Sequence, residues 1–225
     1  MGFEEHAQGW LAWARTPGHD AYRTYRNAFF ALVPEPGTAT LEVGCGEGRV
    51  ARDLVARGHT VTALDASPTL LRAAAEADPA SRYVEGSAEA LPFEDGAFDL
   101  VVAYNSLMDV DDMPAAVSEA ARVLAPGGRL CACVTHPLPD AGSWRGEETF
   151  AITESYLERR WFGATMERDG LEFQFAGWCY PLETYARALE KAGLLIEAIR
   201  EPADPGGGRW ARVPMFLMWR AVKAR

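Results

Sequence analysis

Long apolar runs are missing from this 225-residue chain: none reaches the ~18 residues of a membrane-spanning helix, so no membrane span is expected. Cysteine is scarce. The four present, Cys45, Cys131, Cys133 and Cys179, show neither metal-ligand spacing nor a disulfide framework. A reduced, cytoplasmic protein with no metal is expected. Lys/Arg-rich runs are also missing and the net charge is −10, which argues against a nucleic-acid surface. The N-terminal stretch "MGFEEHAQGW" lacks the basic and apolar regions of a signal peptide. No internal repeat or low-complexity tract appears. At 48% hydrophobic and 24% charged residues the composition is that of a soluble globular domain.

What the chain has is alternation. Two amphipathic helical segments come first, carrying Trp10 and Leu11, then Tyr22, Tyr25 and Phe29 at helical spacing. Strands are predicted at "TATLEV", "HTVTALD", "RYVEGS", "AFDLVVAYNSL" and "GRLCACVTH", with helices between most of them. Cys131 and Cys133 share one strand face as small core residues. "SPTLLRAAAEA" opens with Ser67 as N-cap and Pro68 at the first helical position. A late helix, "LETYARALEKAG", precedes two strands, "LLIEAIRE" and "VPMFLMWRAVK". Such alternation predicts a mainly parallel sheet covered on both faces. The loop between the last two strands has no room for a crossover helix, so one of them runs antiparallel. One domain over residues 1–225 is expected: an N-terminal helical cap (1–36), a core (38–136), an insert (137–180) and a C-terminal helix with strands (181–225).

"LEVGCGEGRV" places Gly44, Gly46 and Gly48 at alternate positions between the first strand and first helix. Glycines there let backbone turn sharply and approach something closely. In such sheets ligands bind beyond the carboxyl ends of the strands, and helix N-termini favour anionic groups. About 20 residues on, Asp65 ends the second strand, where a carboxylate can take both ribose hydroxyls. Position alone thus indicates a nucleoside-bearing cofactor. Arg49 stands where a dinucleotide fingerprint needs its third small residue, which argues against a nicotinamide oxidoreductase.

"LEVGCGEGRV", "VTALDASPTLL", "VEGSAEALPFEDGAFDLVVAYNSL" and "EAARVLAPGGRL" occur in the order and spacing of class I S-adenosylmethionine-dependent methyltransferases. The chain resembles the small-molecule branch that includes quinone-biosynthesis methyltransferases, strongly over residues 38–134. The resemblance implies an α/β, Rossmann-like, doubly wound sheet of seven mostly parallel strands with the last one antiparallel. It implies S-adenosylmethionine as cofactor, with Glu42, Gly44, Cys45 and Gly46 around the methionine moiety. Asp65 would hold the ribose, with Ala66 and Ser67 beside the adenine. Ser87 stands where the family usually has an adenine-binding Asp, with Ala88 and Glu89 following. Tyr104 and Asn105 would lie under the sulfonium.

Methyl transfer from a sulfonium needs alignment more than acid–base help. His136, at the end of the fifth strand, is the candidate base, and Asp109 a second candidate near the acceptor. The insert over 137–180 is too long for a plain connection and is rich in aromatics, Trp178 among them. With Trp10, Tyr22 and Tyr25 it suggests an enclosed pocket for a small aromatic or hydrophobic acceptor. A tRNA or protein methyltransferase and a non-catalytic cofactor binder stay open as alternatives, as does the oligomeric state.

Overall fold

The computed structural model describes residues 3–224. A 3₁₀ turn, Phe3–His6, leads into α1 (Ala7–Arg15) and α2 (Tyr22–Phe30). Then come β1 (Thr40–Val43), α3 (Arg49–Val55), β2 (Val61–Asp65), α4 (Pro68–Ala77), β3 (Arg82–Glu85), β4 (Phe98–Tyr104), α5 (Met113–Val123) and β5 (Leu124–Thr135). The insert forms a one-turn helix, α6 (Pro137–Asp140), and two hairpins, β6 (Gly142–Arg145) with β7 (Thr149–Ile152) and β8 (Arg160–Arg168) with β9 (Leu171–Cys179). The chain closes with α7 (Leu182–Lys191), β10 (Leu194–Arg200) and β11 (Phe216–Lys223).

Seven strands form one sheet in the order β10-β11-β5-β4-β1-β2-β3. All pairings are parallel except those of β11, which inserts antiparallel between β5 and β10. The expected topology is therefore present. Strand order reverses beside β1, so the carboxyl ends of β1 and β4 flank the switch point where such sheets bind ligands.

The sheet is covered on both faces. On one, Tyr25 and Phe29 of α2 and Val50 and Leu54 of α3 pack on Leu100, Val102, Cys131 and Cys133. On the other, α5 and α7 pack on Val101, Leu130, Ala132, Val134 and Trp219. Cys131 and Cys133 are fully buried, as their apolar surroundings predict.

Local chemistry sets the element ends. Ser67 Oγ accepts from Leu70 N and Pro68 follows, which starts α4. Asp112 Oδ1 accepts from Ala115 N and starts α5. β5 begins at Leu124, several residues before the predicted start. The "APGG" stretch was expected to be a break, but Leu124 pairs with Phe98 ahead of an irregularity in the β4–β5 register.

Candidate cofactor and acceptor site

The three alternating glycines have three different jobs. Gly44, at φ +72°, lies where a Cβ would overlap the Cβ of Ser106 in the loop after β4. Gly48, at φ +81°, begins α3, and a Cβ there would lie 2.9 Å from the Cβ of Ala74 on α4. These two serve close packing inside the protein. At Gly46, φ +54°, a Cβ would meet nothing within 4 Å but Trp10 Nε1, an ordinary contact at 3.5 Å. Gly48 thus lets α3 start close against α4, a helix–helix approach rather than the helix–strand packing of a dinucleotide fingerprint's third glycine.

Carboxylates surround the turn. Asp65 Oδ2 accepts from Gly46 N at 2.7 Å, and its Oδ1 accepts from Ser67 N at 2.9 Å. A carboxylate has about four lone-pair sites, so two remain for ribose hydroxyls. Glu42 is almost completely buried, and its Oε2 has no hydrogen-bond partner among the described residues. Burial pushes the Glu42 carboxyl well above the usual range, and the nearby Asp65 and Glu47 push it further. An orphaned buried carboxylate oxygen costs about 1–3 kcal/mol or more, and a cationic partner removes that cost. Glu42 therefore fits the ammonium end of an amino-acid-bearing cofactor. Asn105 adds a second signal. It holds a left-handed conformation, φ +51°, and its Oδ1 is buried without a partner. Strain and unsatisfied groups of this kind collect at ligand sites.

The site has a roof that the sequence only partly indicates. Trp10 packs on Phe173 with the rings tilted, centroids 5.3 Å apart, and approaches Phe175 edge-on at 6.3 Å. Trp13 joins the same pair. Helix α1 and strand β9 thus meet above Gly46. Glu4 fixes the other end of this N-terminal segment: its carboxylate accepts from the Ser67 hydroxyl and, at 2.6 Å, from Thr69 Oγ1. Phe173, Phe175 and Glu4 were missed as site residues. An aromatic alternation was visible in "LEFQFAGW", but nothing local ties it to Trp10.

The remaining predicted residues divide. Ala66 is exposed beside Ser67, and Ser87 and Ala88 lie on the same sheet edge after β3. Ser87 Oγ accepts from Glu89 N, while Glu89 Oε1 accepts from Asp112 N at 2.7 Å, which ties the segment after β3 to the N-cap residue of α5. Cys45 is buried, with its N–H donated to Leu64 O. Tyr104 is buried against Tyr22 and Phe29, with its hydroxyl unpartnered. Tyr22 donates to Asp53 Oδ2 at 2.7 Å and Tyr25 packs on Phe216, which places both in the α2 core layer rather than against the insert. Trp178 packs on Trp161 and under the Arg159 guanidinium, 3.6 Å from its ring centroid.

His136 has no free nitrogen. Nδ1 accepts from Leu138 N at 3.0 Å, which fixes the proton on Nε2, and Nε2 donates to Glu201 Oε1 at 2.7 Å. The ring caps α6 and ties it to the loop after β10. That is the geometry of a structural histidine, at odds with the expected base. Glu201 sits in a stretch that reads as plain loop, so sequence gave no sign of this pair. A separate cleft of about 590 Å³ opens between α1, α2, α3 and α4. Charged side chains pair across it, Arg52 with Glu47 at 2.8 Å and Arg26 with Asp53 at 3.2 Å.

Comparison with known proteins agrees with this geometry. The methyltransferase domain family matches residues 41–132, from β1 into β5. A malonyl-[acyl-carrier protein] O-methyltransferase of Pectobacterium atrosepticum is 37% identical over 107 residues, 47% of this chain and 42% of that one. A demethylmenaquinone methyltransferase of Beutenbergia cavernae is 37% identical over 109 residues, 48% of this chain and 45% of its own. The chain thus spans less than half the length of these relatives. An S-adenosylmethionine-dependent methyltransferase from Mesorhizobium loti superposes with a TM-score of 0.74, covering 89% of this chain and 98% of that one at 24% identity. Motif order, matched domain and strand order together place the chain among the class I S-adenosylmethionine-dependent methyltransferases.

Proposed function

We propose that the protein transfers the methyl group of S-adenosylmethionine to a small acceptor held between the carboxyl edge of the sheet and the aromatic insert. The observation that carries this reading is the carboxylate pair at the glycine turn: Glu42 with an orphaned oxygen, and Asp65 anchored by Gly46 N yet keeping acceptor capacity.

When bound, the cofactor supplies a methyl on a sulfonium whose departure is neutral, so no general acid is required. The chain's own residues do the rest. Glu42 meets the cationic amino end, Asp65 takes the ribose, and Ala66, Ser67, Ser87 and Ala88 border the base. Trp10, Phe173 and Phe175 exclude water from above, and the left-handed Asn105 shapes the wall under the reacting centre. Holding the reactants aligned is the main task. His136 acts as a positioning residue that fixes α6 and the start of the insert.

Among the relatives, one is a malonyl-[acyl-carrier protein] O-methyltransferase and another a demethylmenaquinone methyltransferase. The aromatic walls and the net charge of −10 favour a small apolar or aromatic acceptor over nucleic acid. Calorimetry with S-adenosylhomocysteine tests the cofactor site. Wild type should bind, and Asp65→Ala should lose about 1.5–3 kcal/mol, the scale of hydrogen bonds to a charged group. Unchanged affinity in a folded Asp65→Ala protein would remove the assignment. Methyl-labelled cofactor offered with a panel of acceptors then tests turnover.

A further inference from the structure

We propose that Asp109 is the catalytic base of this site and that the acceptor is a neutral nucleophile carrying a proton, an O–H or N–H, rather than a carboxylate; this rests on the methyl-transfer reading above.

The loop after β4 is built to present Asp109. Ser106 packs on Gly44, and its Oγ donates to Val43 O at 2.7 Å, which fixes the loop to the end of β1. Asp109 N donates to Ser106 O at 3.1 Å, turning the chain, and Trp178 N donates to Met108 O at 2.8 Å, docking β9 on the loop. A Cβ on Gly177 would lie 3.2 Å from Asp109 Oδ1, so glycine at that point of β9 leaves the carboxylate room. Contacts therefore run in a closed ring: Gly44 to Ser106, Asp109 to Gly177, β9 to Trp10, and Trp10 back to Gly46. Asp109 is part of that ring, on the same sheet edge as Gly44 and Gly46.

The Asp109 carboxylate makes no hydrogen bond with the described residues, in contrast to the fully engaged His136. Its side chain is solvent-accessible, yet dense protein around it desolvates the carboxyl and pushes it up to about 8, with repulsion from Asp65 adding to the effect. The neighbouring titratable groups are Asp65 at the end of β2, Tyr185 on α7, Glu89 after β3, and Asp111 and Asp112 before α5. The nearby cation, Arg159, is held by the Trp178 ring and donates to Asp111 O at 2.7 Å. A carboxylate acceptor would enter against Glu42, Asp65 and Asp109. A neutral O–H or N–H would enter as a hydrogen-bond donor to Asp109. In the step, the acceptor's proton passes to an Asp109 carboxylate oxygen and the acceptor–methyl bond forms. The methyl–sulfur bond breaks with its electron pair left on sulfur, which becomes neutral.

Two measurements test this. In the protein without cofactor, the carboxyl carbon-13 resonance assigned by its loss in Asp109→Asn should titrate near pH 8. With cofactor and phenol, amine and carboxylate acceptors, Asp109→Asn should lower kcat on the proton-bearing acceptors by about 10²-fold or more. It should also remove the acidic limb of the kcat profile while leaving S-adenosylhomocysteine affinity unchanged, and Asp109→Glu should recover part of the rate. An Asp109 that ionises near pH 4, full kcat in Asp109→Asn, or efficient wild-type turnover of the carboxylate acceptor would each overturn the proposal. If wild type binds no S-adenosylhomocysteine, the methyl-transfer reading falls and takes this one with it. A wild type that binds and turns over beside an unaffected Asp109→Asn defeats the base assignment alone.

Discussion

At the scale of single residues, glycines that look alike in sequence differ in what they face. Gly44 meets Ser106, Gly48 meets Ala74, and Gly46 meets the open side under Trp10. Gly44→Ala combines left-handed strain with an overlap that backbone neighbours cannot relieve, so it should destabilise the fold by about 3 kcal/mol or more. Gly46→Ala carries the strain alone and should cost about 1–2 kcal/mol while weakening cofactor binding. Urea unfolding of both variants checks the difference, and equal losses would show that the turn is limited by φ alone. The candidate cofactor residues were legible because they follow each other at fixed spacing along β1, β2 and the turns after them. The choice between the two candidate bases was not legible. His136 and Asp109 both follow strands at the same sheet edge, one directly after β5 and one in the loop after β4, and what separates them is a partner: Glu201 for one, none for the other.

At the scale of elements, the parallel core was readable because β1, β2 and β4 are short buried runs bounded by capping or turn signals. β5 was the exception, since Leu124 joins the sheet before the "APGG" break. The insert was readable only as a cover. Its hairpins pair locally, but β9 rests on α1, more than 150 residues away in sequence. The α1–β9 roof is an aromatic seam, Trp10 and Trp13 against Phe173 and Phe175, with Glu4 fastening the far end to α4. Trp10→Ala removes the ring nearest Gly46. S-adenosylhomocysteine affinity should fall about 10-fold, and amide exchange in residues 7–15 and 171–179 should speed up, because lid elements come from the low-stability end of a fold. Unaltered exchange with unaltered affinity would mean that the roof is fixed structure rather than part of the ligand site.

At the scale of the whole molecule, the site works against the stability of the fold. Burial raises the carboxyls of Glu42, Asp65 and Asp140 above their usual range and that of Asp109 to about 8. Between the ordinary carboxylate pKa of about 4 and these raised values, the folded protein binds more protons than the unfolded chain. Stability must therefore fall as pH rises through that window. Glu4, Glu119 and Glu197 are shifted the opposite way by hydrogen bonds and Arg partners, and contribute stability lost toward acid pH. They lie at the surface, where such pairs are worth little, so the buried set should dominate. The cofactor-free protein should then melt at its highest temperature near about pH 5 and lose several degrees by about pH 8. Glu42→Gln removes the charge that burial penalises. It should raise the melting temperature at pH 8, flatten the pH dependence and weaken the binding of S-adenosylmethionine. Calorimetric melts of both proteins from pH 5 to 8 check this, and a wild-type melting temperature that rises with pH would show that these carboxylates ionise freely in the folded protein. A cationic cofactor supplies what the fold lacks, so saturating S-adenosylmethionine should stabilise wild type more at pH 8 than at pH 5, and should do so far less in Glu42→Gln.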